Sequence, residues 1–308
     1  MTVARKRCLR RPGMLSIMGF IMRRIISPFI ELIKPRIALM QVVTVAMGFF
    51  LARSQFPSMG WILFPLLVGT FFTAAGAAAL NHFLERNIDA LMDRTKNRPI
   101  PSGVIAPWKA AVLGFGLLAV GLVILWVWTN SWVTFLSFLT AFLYVIFYTP
   151  LKQMTWLNTY MGAIPGAIPP MAGWGAVTGH LGSGAWELFL IMFFWQMPHF
   201  FSIAWMYKND YGKAGFKMLS VEDGNGDRTY SQMMVNGILL VGVSLIPGML
   251  GHMGVIYSVS AAGLGVWFMV TVMKFRHYRD RDTAFKIMKM SVIYLPLLLS
   301  AIVADALL

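Results

Sequence analysis

The chain has 308 residues, of which 58% are hydrophobic and only 12% are charged. So few polar side chains cannot cover a soluble globule of this size, and the composition therefore predicts a membrane protein. The net charge is +14, but the basic residues are spread over short segments rather than gathered in a soluble basic domain. We therefore expect membrane lipid as a partner, and no nucleic acid.

The N-terminal segment, residues 1–33, is predicted to be a basic tail. Its first 24 residues include seven lysines and arginines, and the apolar stretch among them is short and lacks a small-residue cleavage site, which argues against a secretory signal. The true start is open among Met1, Met14, Met18 and Met22. Cys8 is the single cysteine, so it cannot form an intrachain disulfide.

Nine apolar runs follow the tail, each with the roughly twenty residues that a helix needs to cross a hydrocarbon core of about 30 Å. They lie near residues 37–54, 61–82, 109–129, 132–149, 159–179, 186–207, 233–251, 254–274 and 287–307. Short loops favour packing as one domain. We predict an all-α polytopic membrane protein with nine transmembrane helices in one bundle, over residues 34–308.

Charged residues are divided unequally between the two sides of this bundle. With nine spans, 25 of the 26 lysines and arginines fall on the side of the N terminus, and Arg53 is the exception. The positive-inside rule places this side in the cytoplasm and the C terminus outside. Ten of the twelve carboxylates lie on the same side, all but Glu187 and Asp305. Orientation does not require acids, so we expect a function there that needs both signs of charge.

A row of oxygen-bearing side chains closes the second span. Asn81, Glu85, Asp89 and Asp93 recur at intervals of four residues, which on a helix leaves them on one broad face. Carboxylate and amide oxygens suit Mg²⁺, which usually binds one or two carboxylates together with phosphate oxygens and water. The alternative is a charged helix end with local ion pairs, and Asp93 fits that alternative best.

Basic residues follow this row immediately: Arg94, Lys96 and Arg98. Acids alone would repel an anion and bases alone could not hold a metal, so the combination predicts a site for a Mg²⁺-bound diphosphate. The end of span four adds Tyr148, Lys152 and Asn158 to the same side. Lys152 either orients the helices or binds phosphate.

Span six also ends in polar residues on this side: Gln196, His199, Tyr207, Lys208, Asn209, Asp210 and Tyr211. If spans one to four and five to eight are repeated halves, the two polar ends face each other across a cavity. Asp210, with Lys208 and Lys213, either holds a second metal ion or the far end of a diphosphate, or forms a surface ion pair with these lysines. His199 is either a hydrogen-bonded packing residue or a ligand of the substrate, for example an axial ligand. In span five, Gly162 and Gly166 have the spacing of closely packed helices.

Four ordered motifs carry a resemblance to a known family. They are NxxxExxxDxxxDRTxxRPxPxG from Asn81 to Gly103, YTPLK from Tyr148 to Lys152, NTxxGAIPGAIPPxxGW from Asn158 to Trp174, and WQxPHFxxxAWxYxxDYxxAG from Trp195 to Gly215. With these motifs the chain, from about Lys34 to the last span, resembles the protohaem IX farnesyltransferases (haem O synthases), a branch of the UbiA-type intramembrane prenyltransferases.

The resemblance implies a nine-helix prenyltransferase domain around a central cavity that opens sideways to lipid. Members of this family transfer farnesyl from farnesyl diphosphate to a vinyl group of protohaem IX, and water supplies a hydroxyl group. It implies Mg²⁺ as cofactor and protohaem IX as substrate, with Asn81, Glu85, Asp89 and Asp210 as metal ligands. The expected catalytic residues are Asn81, Glu85, Asp89, Arg94, Arg98, Lys152 and Asp210. The expected substrate-binding residues are Lys96, Tyr148, Asn158, Gln196, His199, Tyr207, Lys208 and Tyr211.

One motif departs from the wider superfamily. In place of a second DxxxD motif, Tyr207 and Tyr211 lie around Asp210, which leaves open how a second Mg²⁺ would be held. An alternative is another prenyl acceptor, such as a quinone precursor, on the same scaffold. A membrane transporter is the alternative of another class, although its ionisable residues should lie near the bilayer midplane. The short tail favours a bacterial cell membrane, where haem A synthase would be a candidate downstream partner.

Overall fold

The computed structural model describes residues 26–53 and 57–306. Most of the predicted basic tail, with Cys8 and the candidate start methionines, lies outside the described residues. The described ranges contain nine long helices, which correspond one to one to the predicted spans. They are α1 Pro35–Arg53, α2 Leu63–Asp89, α3 Pro107–Trp128, α4 Ser131–Phe142, α5 Asn158–Thr178, α6 Ser183–Met206, α7 Asp227–Met249, α8 Val255–Met273 and α9 Arg281–Ala306.

Short helical segments join the long helices. They are Ser27–Leu32 before α1, Pro57–Ile62 before α2, Thr149–Leu151 after α4, Lys208–Lys213 and Leu219–Glu222 after α6, and Lys274–Arg276 after α8. Local sequence signals explain several helix ends. Pro107 occupies the first turn of α3, where a missing N–H costs little. Asn130 caps α4, because its side-chain oxygen accepts the N–H of Val133 at 3.1 Å.

Eight of the nine long helices are long and apolar enough to cross a membrane when α4 is continued through the helical residues up to Leu151, so the chain is an integral membrane protein. The exception is α5, whose 21 residues suffice in length but include several glycines, three prolines and the polar Asn158. This helix packs against α1, α4 and α6, so neighbouring helices surround much of it. The all-α membrane bundle is therefore confirmed, whereas the count of nine membrane crossings is not confirmed and stays a prediction.

The core consists mainly of two clusters of buried apolar side chains. The larger cluster contains side chains of α5, α6, α7, α8 and α9 and includes Phe201 and Tyr294. The second cluster contains side chains of α1 to α6 and includes Phe49 and Leu66. Because α5 contributes side chains to both clusters, it connects the two halves of the bundle.

Two carboxylates that lie apart from the others have structural roles. Asp305, near the end of α9, accepts the N–H groups of Gly254 and Tyr257 at the start of α8, and so caps that helix. Glu187, near the start of α6, contacts His252 in the loop between α7 and α8, with 2.8 Å between Oε1 and Nδ1. These contacts account for the acids that fall outside the acid-rich side.

The backbones of α1 and α5 approach each other closely at two glycines. A Cβ atom at Gly48 would lie 1.9 Å from the carbonyl oxygen of Pro170, and one at Gly173 would lie 1.9 Å from that of Val45. Real Cβ atoms do not come so near to a backbone oxygen. Close helix approach thus involves α5 as expected, but at Gly173 rather than at the predicted pair.

The predicted pair makes room for side chains instead. A Cβ atom at Gly162 would lie 2.6 Å from the ring of Tyr148, and one at Gly166 would lie 1.9 Å from Oε1 of Gln196. Tyr148 and Gln196 are both predicted site residues. The two glycines therefore allow site side chains to lie directly against α5.

We expect the substitution Gly173→Ala to destabilise the protein by about 1–3 kcal/mol or more, because the new methyl group would push α1 and α5 apart. The measurement is thermal unfolding of the purified protein in detergent. The matched control is Gly263→Ala in α8, where a Cβ atom would meet nothing within 4 Å. Equal melting temperatures for the two variants would contradict the close α1–α5 contact.

Candidate active site

A cavity of about 890 Å³ is lined by residues of α1, α2, α4, α5 and α6 and of the loops at the ends of α2 and α6. This volume is in the range of binding sites for small molecules. Ten predicted site residues line it: Asn81, Glu85, Asp89, Arg94, Arg98, Tyr148, Lys152, Gln196, His199 and Tyr211. The polar ends of the second and sixth spans therefore share one cavity.

Three of the four residues in the predicted acid row on α2 line the cavity. Helix α2 continues to Asp89, so Asn81, Glu85 and Asp89 remain on one helical face. Their relative exposures are only 1%, 5% and 0%. Buried carboxylates are costly unless they have a partner of opposite charge. The row therefore requires cations close to it.

Asp93 is the fourth member of the predicted row and lies apart from the other three. It follows the end of α2, its side chain is 58% exposed, and it forms ion pairs with Lys213 at 2.7 Å and Lys96 at 2.8 Å. The hydrogen bonds from Lys213 and Lys96 lower the pKa of Asp93 to about 2. Asp93 thus belongs to the protein surface, and the interpretation of a local ion pair is correct for this residue.

Both buried carboxylates have a basic partner. Nζ of Lys152 lies 2.6 Å from Oε1 of Glu85. One guanidinium nitrogen of Arg98 donates to both oxygens of Asp89, at 2.8 and 2.7 Å. In each pair the basic side chain is also largely buried, so water screens these contacts weakly. Lys152 therefore does more than orient the helices.

Lys34 is a third basic partner of the α2 row, and the sequence motifs did not indicate it as a site residue. Its Nζ donates to Oδ1 of Asn81 at 2.8 Å, across 47 residues of sequence. Lys34 has a φ of 45° and is the one non-glycine residue with positive φ in the described part of the chain. Burial, followed by the positive charge of Arg98, lowers the pKa of Lys34 to about 7. An anion bound beside Lys34 would favour its charged form.

An irregular helix end positions Lys152. Residues Leu143–Tyr148 continue α4 as a π-helix, a form that is rare and frequent at functional sites. Oγ1 of Thr149 donates to the carbonyl oxygen of Tyr144 at 2.9 Å and accepts from Nδ2 of Asn81 at 3.1 Å. The ammonium group of Lys152 lies 4.5 Å from the centre of the Tyr148 ring. Burial alone would lower the pKa of Lys152, but Tyr148 and Glu85 together raise it above its usual value.

The wall formed by α6 is aromatic and hydrogen-bonded rather than acidic. Nδ1 of His199 lies 2.7 Å from Oγ of Ser291, and its ring stacks on Trp195 with 5.4 Å between centroids. A hydrogen bond at Nδ1 fixes the ring and leaves Nε2 for another partner. Gln196 donates to the carbonyl oxygen of Met192 at 2.9 Å.

Five predicted site residues do not line the cavity: Lys96, Asn158, Tyr207, Lys208 and Asp210. The amide of Asn158 is buried and donates to the carbonyl oxygen of Lys217 at 3.0 Å, which connects the start of α5 to the loop that contains Lys217. The ammonium of Lys208 lies 4.1 Å from the Trp205 ring. Asn158 and Lys208 thus make structural contacts, and their role in substrate binding stays a prediction.

Tyr207 supports the site indirectly, because its ring lies 4.9 Å from the guanidinium carbon of Arg94. Tyr211 also contacts Arg94, at 6.0 Å, and does line the cavity. Asp210 lies in the short helix Lys208–Lys213, outside the cavity lining. Its role as a second metal ligand stays a prediction.

The donor set on α2 fits a magnesium ion that is bound together with an anion. Among the described residues, no group of three or more His, Cys, Asp or Glu side chains could hold a metal ion. Two carboxylates and an amide oxygen nevertheless line one cavity. Mg²⁺ commonly takes only one or two protein carboxylates and completes its octahedron with phosphate oxygens and water. Lys34, Arg98 and Lys152 supply the positive charge that such an anion requires.

Comparison with known proteins gives the family. Residues 41–293 match the UbiA prenyltransferase family. The chain is 39% identical over 287 residues to the protoheme IX farnesyltransferase of Solibacter usitatus. This match covers 90% of this chain and 98% of that protein. It is also 39% identical over 282 residues to the protoheme IX farnesyltransferase of Opitutus terrae, with coverages of 91% and 95%. The chain therefore belongs to the UbiA prenyltransferase family, as the motifs indicated.

Solved structures agree with this fold. A structure of digeranylgeranylglyceryl phosphate synthase superimposes with a TM-score of 0.76 at 18% identity and covers 91% of this chain and 98% of its own. A UbiA homologue from Archaeoglobus fulgidus, bound to GPP and Mg²⁺, superimposes with a TM-score of 0.62 at 15% identity, with coverages of 90% and 100%. At these identities the likeness concerns the fold.

We expect Lys152→Met to lower the free energy of unfolding by about 3–5 kcal/mol, because it leaves the buried Glu85 without its counter charge. The double variant Glu85→Gln with Lys152→Met should recover most of this loss. Thermal unfolding in detergent measures both effects. The matched control is Lys213→Met, which breaks an exposed pair worth about 0–1 kcal/mol. If Lys152→Met and Lys213→Met unfold at the same temperature, the Lys152–Glu85 pair is not the buried contact described above.

Proposed function

We propose that the protein transfers a farnesyl group from farnesyl diphosphate to a vinyl group of protohaem IX, with addition of water, and releases haem O and diphosphate. The observation that carries this proposal is the buried row Asn81, Glu85 and Asp89 with its basic partners in one large cavity. Because the chain belongs to a prenyltransferase family, a metal-bound prenyl diphosphate is the ligand that we expect at this row. The names of the two relatives, which match nearly their whole length, support this donor and acceptor.

In this proposal the α2 wall handles the donor. Asn81, Glu85 and Asp89 would hold Mg²⁺, which supplies positive charge next to the diphosphate as negative charge builds up there. Lys34, Arg98 and Lys152 bind diphosphate oxygens and stabilise the same charge. Arg94 lines the cavity beside them and adds a further cation.

Bond changes at the donor need no nucleophile from the protein. The bond between C1 of the farnesyl group and the diphosphate oxygen breaks, and its electron pair leaves with diphosphate. The vinyl group of haem supplies the electrons for the new carbon–carbon bond at C1. Water then adds to the resulting cation on the haem side chain and loses one proton. The protein's contribution is to orient both substrates and to stabilise the leaving group.

The α6 wall is proposed to hold the acceptor. His199 is fixed at Nδ1 by Ser291, so its Nε2 is suited to a metal-bound porphyrin. Trp195 and Gln196 line the same wall and offer an aromatic face and an amide to a flat, largely apolar ring.

The proposed location is a bacterial cell membrane, with the N terminus in the cytoplasm and the C terminus outside. The distribution of lysine and arginine supports this orientation, and the two relatives named above are bacterial. Haem O is released into the membrane as a hydrophobic product. A haem A synthase that accepts it there is a candidate partner.

The substitution Asp89→Asn should lower the rate of farnesyl transfer by roughly 100-fold or more, because it removes a buried charge that the metal ion requires. Asp93→Asn is the matched control. It makes the same chemical change four residues later, at an exposed ion pair, and should leave the rate within about threefold.

The assay supplies purified protein with farnesyl diphosphate, Mg²⁺ and haem, and the mass of the pigment is measured afterwards. The proposal predicts an increase equal to a farnesyl group plus water. Wild-type activity in Asp89→Asn would refute the role of the α2 row. Prenylation of a quinone precursor but not of haem by the wild type would refute the acceptor.

A further inference from the structure

One buried side chain in the cavity is not used by the function proposed above. His82 follows Asn81 on α2, is 1% exposed and lines the cavity. Neither ring nitrogen has a hydrogen-bond partner among the described residues. Buried polar groups are nearly always hydrogen-bonded. The ring nitrogens of His82 are therefore candidates for hydrogen bonds to a bound ligand.

Two other buried polar atoms share this property in the described part of the chain, Oγ1 of Thr70 and Nε1 of Trp174. Thr70 lies 11 positions before Asn81 on α2, about 16 Å away along the helix axis. Trp174 does not line the cavity. His82 is the one that lies next to the acid row.

Two cations, Lys34 and Arg98, line the same cavity as His82. They are the partners of Asn81 and Asp89. An imidazole ring carries at least one N–H donor in either protonation state.

The same surroundings indicate what this donor would bind. Two cations attract an anion, and the oxygens of a diphosphate are strong hydrogen-bond acceptors. A metal ion is a poorer candidate, because no group of three His, Cys, Asp or Glu side chains that could hold one includes His82 within the described ranges.

We infer that His82 positions the donor substrate by donating a hydrogen bond from a ring N–H to a diphosphate oxygen, in the cavity that Lys34 and Arg98 also line. This inference rests on the proposed function and adds a residue outside the acid row and its basic partners. It assigns His82 to binding and orientation, with no transfer of a proton.

Four variants of the full-length protein test this role in two matched pairs. His82→Asn and His82→Gln keep an N–H donor, at about the positions of Nδ1 and Nε2. His82→Leu and His82→Met have nearly the same shapes without a donor. The probe is inorganic pyrophosphate with Mg²⁺, and its dissociation constant is measured by calorimetry on protein in detergent. Haem binding, followed by the Soret absorbance, is the second readout.

We expect His82→Leu and His82→Met to weaken pyrophosphate binding by about tenfold or more, as the loss of a hydrogen bond to a charged group does. At least one of His82→Asn and His82→Gln should bind within about threefold of the wild type, and that variant identifies the donating nitrogen. Haem binding should be unchanged in all four. Two donor-free and two donor-bearing variants keep the comparison usable if one fails to fold.

Two results would overturn the inference alone. One is equal pyrophosphate binding by His82→Leu, His82→Met and the wild type. The other is loss of haem binding with pyrophosphate binding intact, which would indicate that His82 contacts the acceptor and not the donor. Failure of the wild type to bind pyrophosphate with Mg²⁺ would instead refute the proposed function itself, and this inference with it.

Discussion

The structure depends on one electrostatic constraint, which is that Glu85 and Asp89 are buried at the end of an otherwise apolar helix. A buried carboxylate without a counter charge is costly, so three separate segments bring cations or hydrogen bonds to α2. Lys34 comes from before α1, Lys152 from after α4, and Arg98 from the loop after α2. These contacts determine how the segments at this end of the bundle are arranged.

Folding stability alone does not account for this arrangement. A buried ion pair often contributes less than an apolar pair of the same volume, because both groups lose their hydration. Three basic residues beside two acids and an amide are therefore poorly explained by folding alone. They are well explained by a ligand that carries both signs of charge, such as a metal ion bound to a diphosphate. Perturbed ionisable groups gathered in one cavity are typical of an active site.

Periodicity and motif spacing predicted the long helices and the acid row, because both depend on short stretches of sequence. Contacts between distant segments could not be read in this way. Lys34 meets Asn81 across 47 residues, and the π-helix that leads to Lys152 has no marked sequence signal. Asp93 continued the four-residue interval, but the helix ends at Asp89, so its side chain turns to the surface. At the second polar end, Lys208 and Asp210 belong to a short helix outside the cavity lining, a placement that the spacing of the motif did not indicate.

The two walls of the cavity differ in a way that follows from their residues. The α2 wall has acids, bases and a buried imidazole, and suits a highly charged ligand. The α6 wall has Trp195, Gln196 and His199, and suits a flat ring with a metal centre. A reaction between an anionic donor and a porphyrin requires the two reacting carbons to meet where these walls join. Gly162 and Gly166 of α5 lie at this junction, against Tyr148 from one half and Gln196 from the other. Their lack of a side chain therefore allows residues of the two walls to pack against the same helix.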